Sequence, residues 1–370
     1  LKQDSIRNIA RKAGVSPITA SRILRDQHQK YRDETVARVR EAAREVGYRP
    51  NLLARSILGG RTQTVGVMIA FSHSSFTSNE LFGIHDALIE RDYAPLMLIA
   101  RPNQTTVLEQ IHRLLDRRVD GIILGQGQES TQEEDLRDVW KRQVPLVAVH
   151  SPLKGTRHAG FVATDEAVGG RLALRHLVEQ GHRRIGYVTW RVGYGNLIAR
   201  EKAFLGEAAA YPEIQCEVVE VSAAASPQGT VEMLDFLKRP DRPTALALGG
   251  DTLARGVYQA AFRLGIRIPE DLSVIGFSDH EFSRHMDPPL TTVHEFPYEI
   301  GRKAVELILN RIERDGEEEL APESVLIPPE LLVRGSTSSP AYESGKMTGG
   351  APVPHCSGQE LKGKRNEERE

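Results

Sequence analysis

The sequence predicts two architectures in one chain: an all-α helix-turn-helix headpiece, then a larger α/β core of doubly wound parallel sheets. Three observations carry this reading. Apolar residues recur at helical spacing through about the first 48 residues, with glycines closing the segments. From about residue 63, short apolar runs alternate with helical patterns, the signature of parallel strands covered by helices on both faces. Charge divides at the same place. Residues 1–62 hold 14 Lys+Arg against 6 Asp+Glu, a net of +8; the remaining 34 and 44 give −10, and the chain as a whole carries −2. A basic first sixth on an acidic body implies a nucleic-acid-binding arm on a soluble core.

The headpiece reads element by element. Ser5 is placed to cap a helix whose inner positions are Ile6, Ile9, Ala10 and Ala13, and Gly14 ends it. Val15 is an apolar plug in the turn. Ser16 caps a second helix with Pro17 at its first position, where no N–H is needed, and Ala20, Ile23 and Leu24 form its inner face. A third helix is expected over Asp33–Val46, capped by Asp33, with Val36, Val39, Ala42, Ala43 and Val46 inward and Gly47 as terminator. Pro50 and Asn51 open a further segment that Gly59-Gly60 close; about eight residues cannot hold a helix alone in water.

In the core, strands are expected at Val65–Ala70, Ala94–Ile99, Gly121–Leu124, Leu146–Val149, Ile185–Val188, Ala245–Leu248 and Ser273–Gly276. Helices are expected at Leu81–Arg91, Thr105–Arg117, Gly169–Gln180, Ile198–Ala210 and Leu253–Leu264. Ligands at such sheets sit beyond the carboxyl ends of the strands. Those ends carry Phe76, Thr77, Gln126, His150, Ser151, Trp190, Gly250 and Ser278. Residues from about Ser338 onward are rich in Gly, Pro, Ser, Lys and Glu, and a disordered tail is expected over 340–370.

Several ordered phrases carry a specific resemblance. Ile9-Ala10-Arg11-Lys12-Ala13-Gly14-Val15-Ser16, Thr19-Ala20-Ser21-Arg22-Ile23-Leu24, Gly47-Tyr48-Arg49-Pro50-Asn51 and Ala54-Arg55-Ser56 resemble, in order, the headpiece of the lactose-repressor family. Val119-Asp120-Gly121-Ile122-Ile123-Leu124, Pro269-Glu270-Asp271-Leu272-Ser273-Val274-Ile275-Gly276-Phe277 and Pro288-Pro289-Leu290-Thr291-Thr292-Val293 resemble its core. The resemblance implies a periplasmic-binding-protein-like core of two subdomains crossed three times by the chain, with an effector in the cleft. The domains expected are a headpiece 1–48, a hinge 49–62 and a core 63–339, divided into 63–162 plus 293–320 and 163–292 plus 321–339.

The same resemblance implies an effector-controlled, sequence-specific transcription regulator, a homodimer on a near-palindromic double-stranded operator. The second helix would enter the major groove. Arg22 suits the O6 and N7 of guanine, or else a phosphate; Pro17 and Ile18 offer only apolar contacts such as those to a thymine methyl. Ser16, Thr19 and Ser21 suit phosphates. Asn51 and Ala54 belong to the hinge helix, and Ile57 or Leu58 would wedge into the minor groove. Arg200 matches the family's effector-binding arginine. Trp190 either lines the cleft or caps the core, and His150 either meets ligand or is a hydrogen-bonded structural histidine. Where the family often has Asp, Asn and Asp, this chain has His150, Gly250 and Ser278. A cleft keeping a cation and shedding acids suggests an anionic effector, a sugar acid such as gluconate first, then a sugar phosphate, with a neutral sugar as the alternative. Gly250 would leave extra room.

Other classes are disfavoured. Cys216 and Cys356 stand apart with no metal-ligand spacing, and no metal or cofactor is implied. No phosphate loop or dinucleotide fingerprint is complete, which argues against an enzyme. The N-terminal apolar pattern is broken by Arg7, Arg11 and Lys12, so a secreted solute-binding protein is not expected and a cytoplasmic, nucleoid-associated location is.

Overall fold

The structure, a computed structural model, describes residues 6–24, 30–48, 61–70, 74–100, 106–125, 131–153, 159–190, 195–222, 227–314 and 323–340. The headpiece is α1 (Ile6–Ala13), α2 (Pro17–Ile23) and α3 (Asp33–Glu45). Gly14 takes a φ of 67°, which an L side chain resists, and lets the Val15 amide return to the Ala10 carbonyl at 2.9 Å. That turn aims α2 across α1. Ile9, Ala10, Ala13, Ala20, Ile23, Val36, Val39, Ala42 and Ala43 form the buried centre, with Tyr31, Val46 and Tyr48 packed around it. One expectation is corrected. Asp33 is the first helical residue of α3 rather than its cap; Arg32 holds the cap position without a side-chain hydrogen bond. Asp33 and Glu34 instead place negative charge at the positive end of the helix dipole.

The core elements are β1 (Thr64–Ala70), α4 (Ser75–Ile89), β2 (Ala94–Ala100), α5 (Val107–Asp116), β3 (Gly121–Leu124), α6 (Arg137–Lys141), β4 (Leu146–Val149) and β5 (Gly160–Thr164). After them come α7 (Glu166–Glu179), β6 (Arg184–Trp190), α8 (Gly195–Ala208), β7 (Gln215–Val221), α9 (Pro227–Leu237), β8 (Ala245–Leu248), α10 (Ala254–Leu264) and β9 (Ser273–Phe277). The chain then forms β10 (Thr291–His294), α11 (Pro297–Glu313), β11 (Ser324–Ile327) and β12 (Glu330–Leu332). Two six-stranded sheets result, β11-β5-β4-β3-β1-β2 and β12-β10-β9-β8-β6-β7. Every pairing is parallel except β10 with β12.

The two sheets share one winding order, reversing direction between β1 and β3 and again between β6 and β8. A crevice opens beyond the strand ends at each such reversal, and this is where the fold can hold a ligand. Each sheet is sealed by its own apolar layers. Val65, Ile84, Leu88, Ile123, Ile300 and Ile308 belong to the first, and Val188, Leu246, Val257, Val274 and Leu290 to the second.

The expected subdomain boundaries shift. β5, which the expected boundary at 162 would split, pairs along its length with β4 and β11. β10 stays whole in the second sheet, and β11, expected in the second subdomain, completes the first. A strand gives its hydrogen bonds to one sheet, so the crossings fall in the short links after Thr164, after His294 and between Ile327 and Glu330. Three helices, α4, α7 and α8, also begin earlier than their apolar periods suggest. Ser74 caps α4 and Asp165 caps α7, each through its side chain, which adds a turn or more upstream.

The entry to the core is clamped. Arg61 donates from Nη2 to the carbonyl of Ile312 at the end of α11. The Asp120 carboxylate accepts from the Thr62 amide at 2.8 Å and the Gln63 amide at 2.7 Å. The expected hinge helix, its residues Asn51, Ala54, Ile57 and Leu58, and the expected tail beyond Pro340 lie outside the described residues. Among the described residues no helix is long and apolar enough to cross a membrane.

Candidate functional site

α2 presents the face expected of a reading helix. Ala20 and Ile23 are buried, Thr19 and Ser21 are half-buried, and Ser16, Pro17, Ile18 and Arg22 are exposed. Ile18 leaves 65% of its surface open, unusual for a large aliphatic side chain on so small a domain. Ser16 Oγ accepts from the Thr19 amide at 3.1 Å and bonds the Thr19 hydroxyl at 2.9 Å, fixing the start of the helix. Lys12 of α1 is ion-paired with Glu45 of α3, tying the ends of the domain together.

The second site is the cleft between the sheets. His150 directly follows β4, Trp190 ends β6, and Ser278 directly follows β9. Phe76 and Thr77 are in the first turn of α4, and Gln126 lies outside the described residues. Several cleft residues have strained backbones: φ is 71° at His150, 101° at Ser278 and 53° at Phe296, where non-glycine residues are uncommon.

Arg200, from α8, lies at the centre and is 2% exposed. It was expected to offer an open cation; the structure corrects this. Its Nε donates to Glu166 Oε2 at 2.8 Å and its Nη2 to Glu166 Oε1 at 3.1 Å. Nη2 also reaches Glu295 Oε1 at 3.2 Å, and Nη1 the carbonyl of Gly249 at 2.6 Å. The flat face of the guanidinium lies 3.3 Å from the centre of the Phe277 ring. Burial opposes the Arg200 charge, but Glu166 and Glu295 outweigh it and hold the guanidinium protonated above its ordinary range. Burial pushes Glu166 from the ordinary 4.5 up to about 7, even beside Arg200.

A second buried pair faces it from the first sheet. His150 Nε2 meets Glu80 Oε2 at 2.8 Å, both side chains 1% exposed. Burial would strip the proton from His150, but the Glu80 carboxylate overcomes this and raises its pKa. Phe76 lies against the imidazole, ring centres 5.2 Å apart. The cleft floor therefore holds three carboxylates, Glu80, Glu166 and Glu295, against Arg200 and His150. Among the described residues, Thr77 Oγ1, Glu80 Oε1, Ser151 Oγ, Tyr187 OH and Asn196 Oδ1 are buried without a hydrogen-bond partner.

The room expected beside Gly250 is taken. A Cβ there would lie 3.1 Å from Cη2 of Trp190, so the indole lies over the glycine. Across the cleft mouth, the Ser74 and Ser75 hydroxyls approach His280 Nδ1 at 3.3 and 3.2 Å, and the Glu281 amide donates to Ser75 Oγ at 3.1 Å. The loop carrying His280 is pinned by Asp251, which accepts from the His280 amide, Ser283 and Thr292 at 2.9, 2.5 and 2.7 Å.

Sequence reasoning missed Glu80, Glu166, Asn196 and Glu295. A signal existed for Glu166, since Asp165 immediately before it is a cap residue. Glu80 lies four residues after Phe76 on the same helix face, legible only once α4 is known to begin at Ser75.

A helix-turn-helix domain with an exposed reading helix, joined to a two-sheet core whose facing strand ends carry buried polar groups, defines a ligand-responsive DNA-binding regulator. Residues 5–51 match the lacI family of bacterial regulatory proteins, and residues 174–337 match the periplasmic binding protein-like domain. Together these matches support a DNA-binding transcriptional repressor of the lacI type with a small-molecule effector, and the relatives are transcriptional regulators rather than enzymes. It is 29% identical over 340 residues to the HTH-type transcriptional repressor PurR of Edwardsiella ictaluri, covering 90% of this chain and 97% of that one. It is 29% identical over 344 residues to the ribose operon repressor of Escherichia coli, covering 90% and 99%. Among solved structures, the lac repressor dimer bound to operator and the anti-inducer ONPF superposes with a TM-score of 0.76 at 23% identity, covering 90% and 99%. A LacI family regulator from Enterococcus faecium with bound ribose gives 0.65 at 26% identity, covering 75% and 99%.

Proposed function

We propose that this repressor answers to a neutral, polyhydroxylated sugar of about pentose size. The observation that carries this reading is the engagement of four of the five N–H donors of Arg200 by Glu166, Glu295 and the Gly249 carbonyl. A sugar acid such as gluconate, or a sugar phosphate, was attractive while Arg200 stood open. With its charge already matched by Glu166 and Glu295, Arg200 has little left to offer a further anion, which would also meet those carboxyl groups in low dielectric. Hydroxyl groups donate well to carboxylates. The ribose named for the Escherichia coli relative and the Enterococcus faecium structure fits that chemistry. Trp190, packed on the apolar cluster of the second sheet, lies against Gly250 and limits depth there. Isothermal titration of the full-length protein with D-ribose, D-xylose and L-arabinose, and with D-gluconate and ribose 5-phosphate, tests this. At least one neutral sugar is expected to bind more tightly than either anion; the reverse order ends the proposal.

On DNA, the reading face of α2 supports Arg22 as the guanine reader, with Pro17 and Ile18 against thymine methyls and Ser16, Thr19 and Ser21 at phosphates. The hinge roles of Asn51, Ala54 and the Ile57 or Leu58 wedge rest on sequence. The partner on a near-palindromic operator is a second copy of this chain, which would hold the protein on the chromosome. Exposed Phe82 and Ile89 of α4, Met97 and Ile99 of edge strand β2, and Val218 of edge strand β7 support such an interface. Operators selected from random palindromes measure the roles. Arg22→Ala is expected to lose about 1–3 kcal/mol and to relax one base preference per half-site. An unchanged ranking of operator variants would remove Arg22 as a base reader.

A further inference from the structure

We propose that Glu80 is a specificity-determining residue for the effector, accepting a sugar hydroxyl on Oε1 while His150 holds Oε2. This rests on the neutral-sugar reading above and assigns its anchor in the first lobe.

The other buried carboxylates near the cleft show what a structural role looks like. Asp251 receives three donors, all from its own fold. Both oxygens of Glu166 are engaged by Arg200. Glu295 Oε1 takes Arg200 and the Thr164 hydroxyl. Glu80 is different: it is 1% exposed and His150 satisfies one oxygen, but Oε1 is a buried carboxylate oxygen without a partner among the described residues. Leaving such an acceptor dry costs more than a hydrogen bond returns elsewhere, so a site built this way fits an incoming donor.

Position supports the same role. Glu80 Oε1 is 3.4 Å from where a Cβ of Gly125 would stand, and Gly125 directly follows β3. That is the carboxyl end of a strand at the β1/β3 reversal, where the crevice opens. A Cβ at 125 would lie 2.6 Å from Ile69 Cγ2, so only glycine lets the strand end pack this closely beside Glu80. His150 turns toward Glu80 from a backbone φ of 71°, strain that a plain loop would have no reason to keep. On the facing lobe, Asn196 of α8 carries a second buried acceptor without a partner, Oδ1, four residues before Arg200. A ligand bearing two hydroxyl donors bridges the lobes and holds them closed. A ligand ending in a carboxylate or phosphate at the Glu80 position meets like charge and is rejected.

The test is isothermal titration of the full-length wild type, Glu80→Gln and Glu80→Asp with D-ribose, D-xylose and L-arabinose, and with D-ribonate as the charged counterpart. Folding is checked by near-ultraviolet circular dichroism. For the pentose that binds, Glu80→Gln is expected to weaken Kd by about 10- to 100-fold and to narrow its preference over D-ribonate. Glu80→Asp, which retracts the acceptor but keeps the charge, should weaken Kd while preserving the rejection of D-ribonate. If Glu80→Gln does not fold, Glu80→Asp alone decides. A pentose Kd unchanged in the folded variants overturns the role of Glu80 and leaves the neutral-sugar reading intact. Wild-type preference for D-ribonate, or no binding of any of the three pentoses, overturns both.

Discussion

Arg200→Met is expected to lower the unfolding free energy of the core by about 3–5 kcal/mol near neutral pH, the cost of stranding a buried charge partner. Methionine fills much of the same length, so packing against Phe277 survives in part. What does not survive is compensation for Glu166 and Glu295, which are 7% and 2% exposed. The deficit should grow with pH, and the sign follows from linkage. Glu166 already has its pKa raised from the ordinary 4.5 to about 7 by burial, so the folded state binds its proton more readily than the unfolded chain does. A group of that kind contributes stability that is present below its unfolded pKa and is lost as pH rises through its folded pKa. Removing Arg200 removes a charge that lowers the Glu166 pKa, so the folded carboxyl titrates still higher. Urea unfolding at about pH 5 and about pH 8 should therefore show a small loss at the first and a large one at the second. A loss below about 1 kcal/mol at both would mean that the carboxylates find other donors, and the paired arginine would no longer argue against an anionic effector.

The headpiece was legible because its information is local. Ser16-Pro17, Gly14 and the spacing of Ile9, Ala13, Ala20 and Ile23 each act within one or two turns, and α2 begins at the residue those signals mark. The central strands were legible for a related reason: β3, β4 and β8 are apolar runs buried along their whole length and bounded by turns. The cleft was legible only in outline. Strand ends named His150, Trp190 and Ser278, but the partners of Arg200 lie 34 and 95 residues away, and no periodicity connects them. The loss of two acids and an amide at three aligned positions was visible in sequence, whereas the carboxyl groups of Glu80, Glu166 and Glu295 in the cleft were not. In sequence Arg200 reads as an open cation; in the structure it is paired. Likewise Gly250 reads as space until Trp190, 60 positions earlier in the chain, is seen lying over it. The third crossing was misplaced because β11 alternates exposed and half-buried positions and lacks the apolar run that marks a central strand.

Gly301→Ala sets two effects of opposite sign against each other. Within a helix interior, replacing glycine by alanine gains about 1 kcal/mol from propensity and the unfolded chain. At this position the new Cβ would stand 2.3 Å from the Glu80 carbonyl oxygen and 2.8 Å from the Ile84 amide nitrogen, both backbone atoms of α4. Gly83 makes the reciprocal contact, its Cβ position 2.0 Å from the Tyr298 carbonyl oxygen. Backbone atoms cannot swing aside as a side-chain tip can, so α4 and α11 must separate. Ile84, Leu88, Ile300, Ala304 and Ile308, which share one apolar cluster with both helices, then lose contact together. Overpacking of this kind costs about 1–3 kcal/mol and more where backbone must move, so the clash exceeds the propensity gain. The consequences extend beyond stability. Glu80 rides on the displaced helix, and the far end of α11 holds Arg61 of the linker through the Ile312 carbonyl. Gly301→Ala should therefore lower the urea midpoint, weaken effector binding and loosen the link between cleft and headpiece in one substitution. Thermal and urea unfolding, with titration of the bound sugar, measure all but the last; operator affinity with and without that sugar measures the last. A variant more stable than the wild type by about 1 kcal/mol would show that propensity alone governs the site and that α4 and α11 do not touch there.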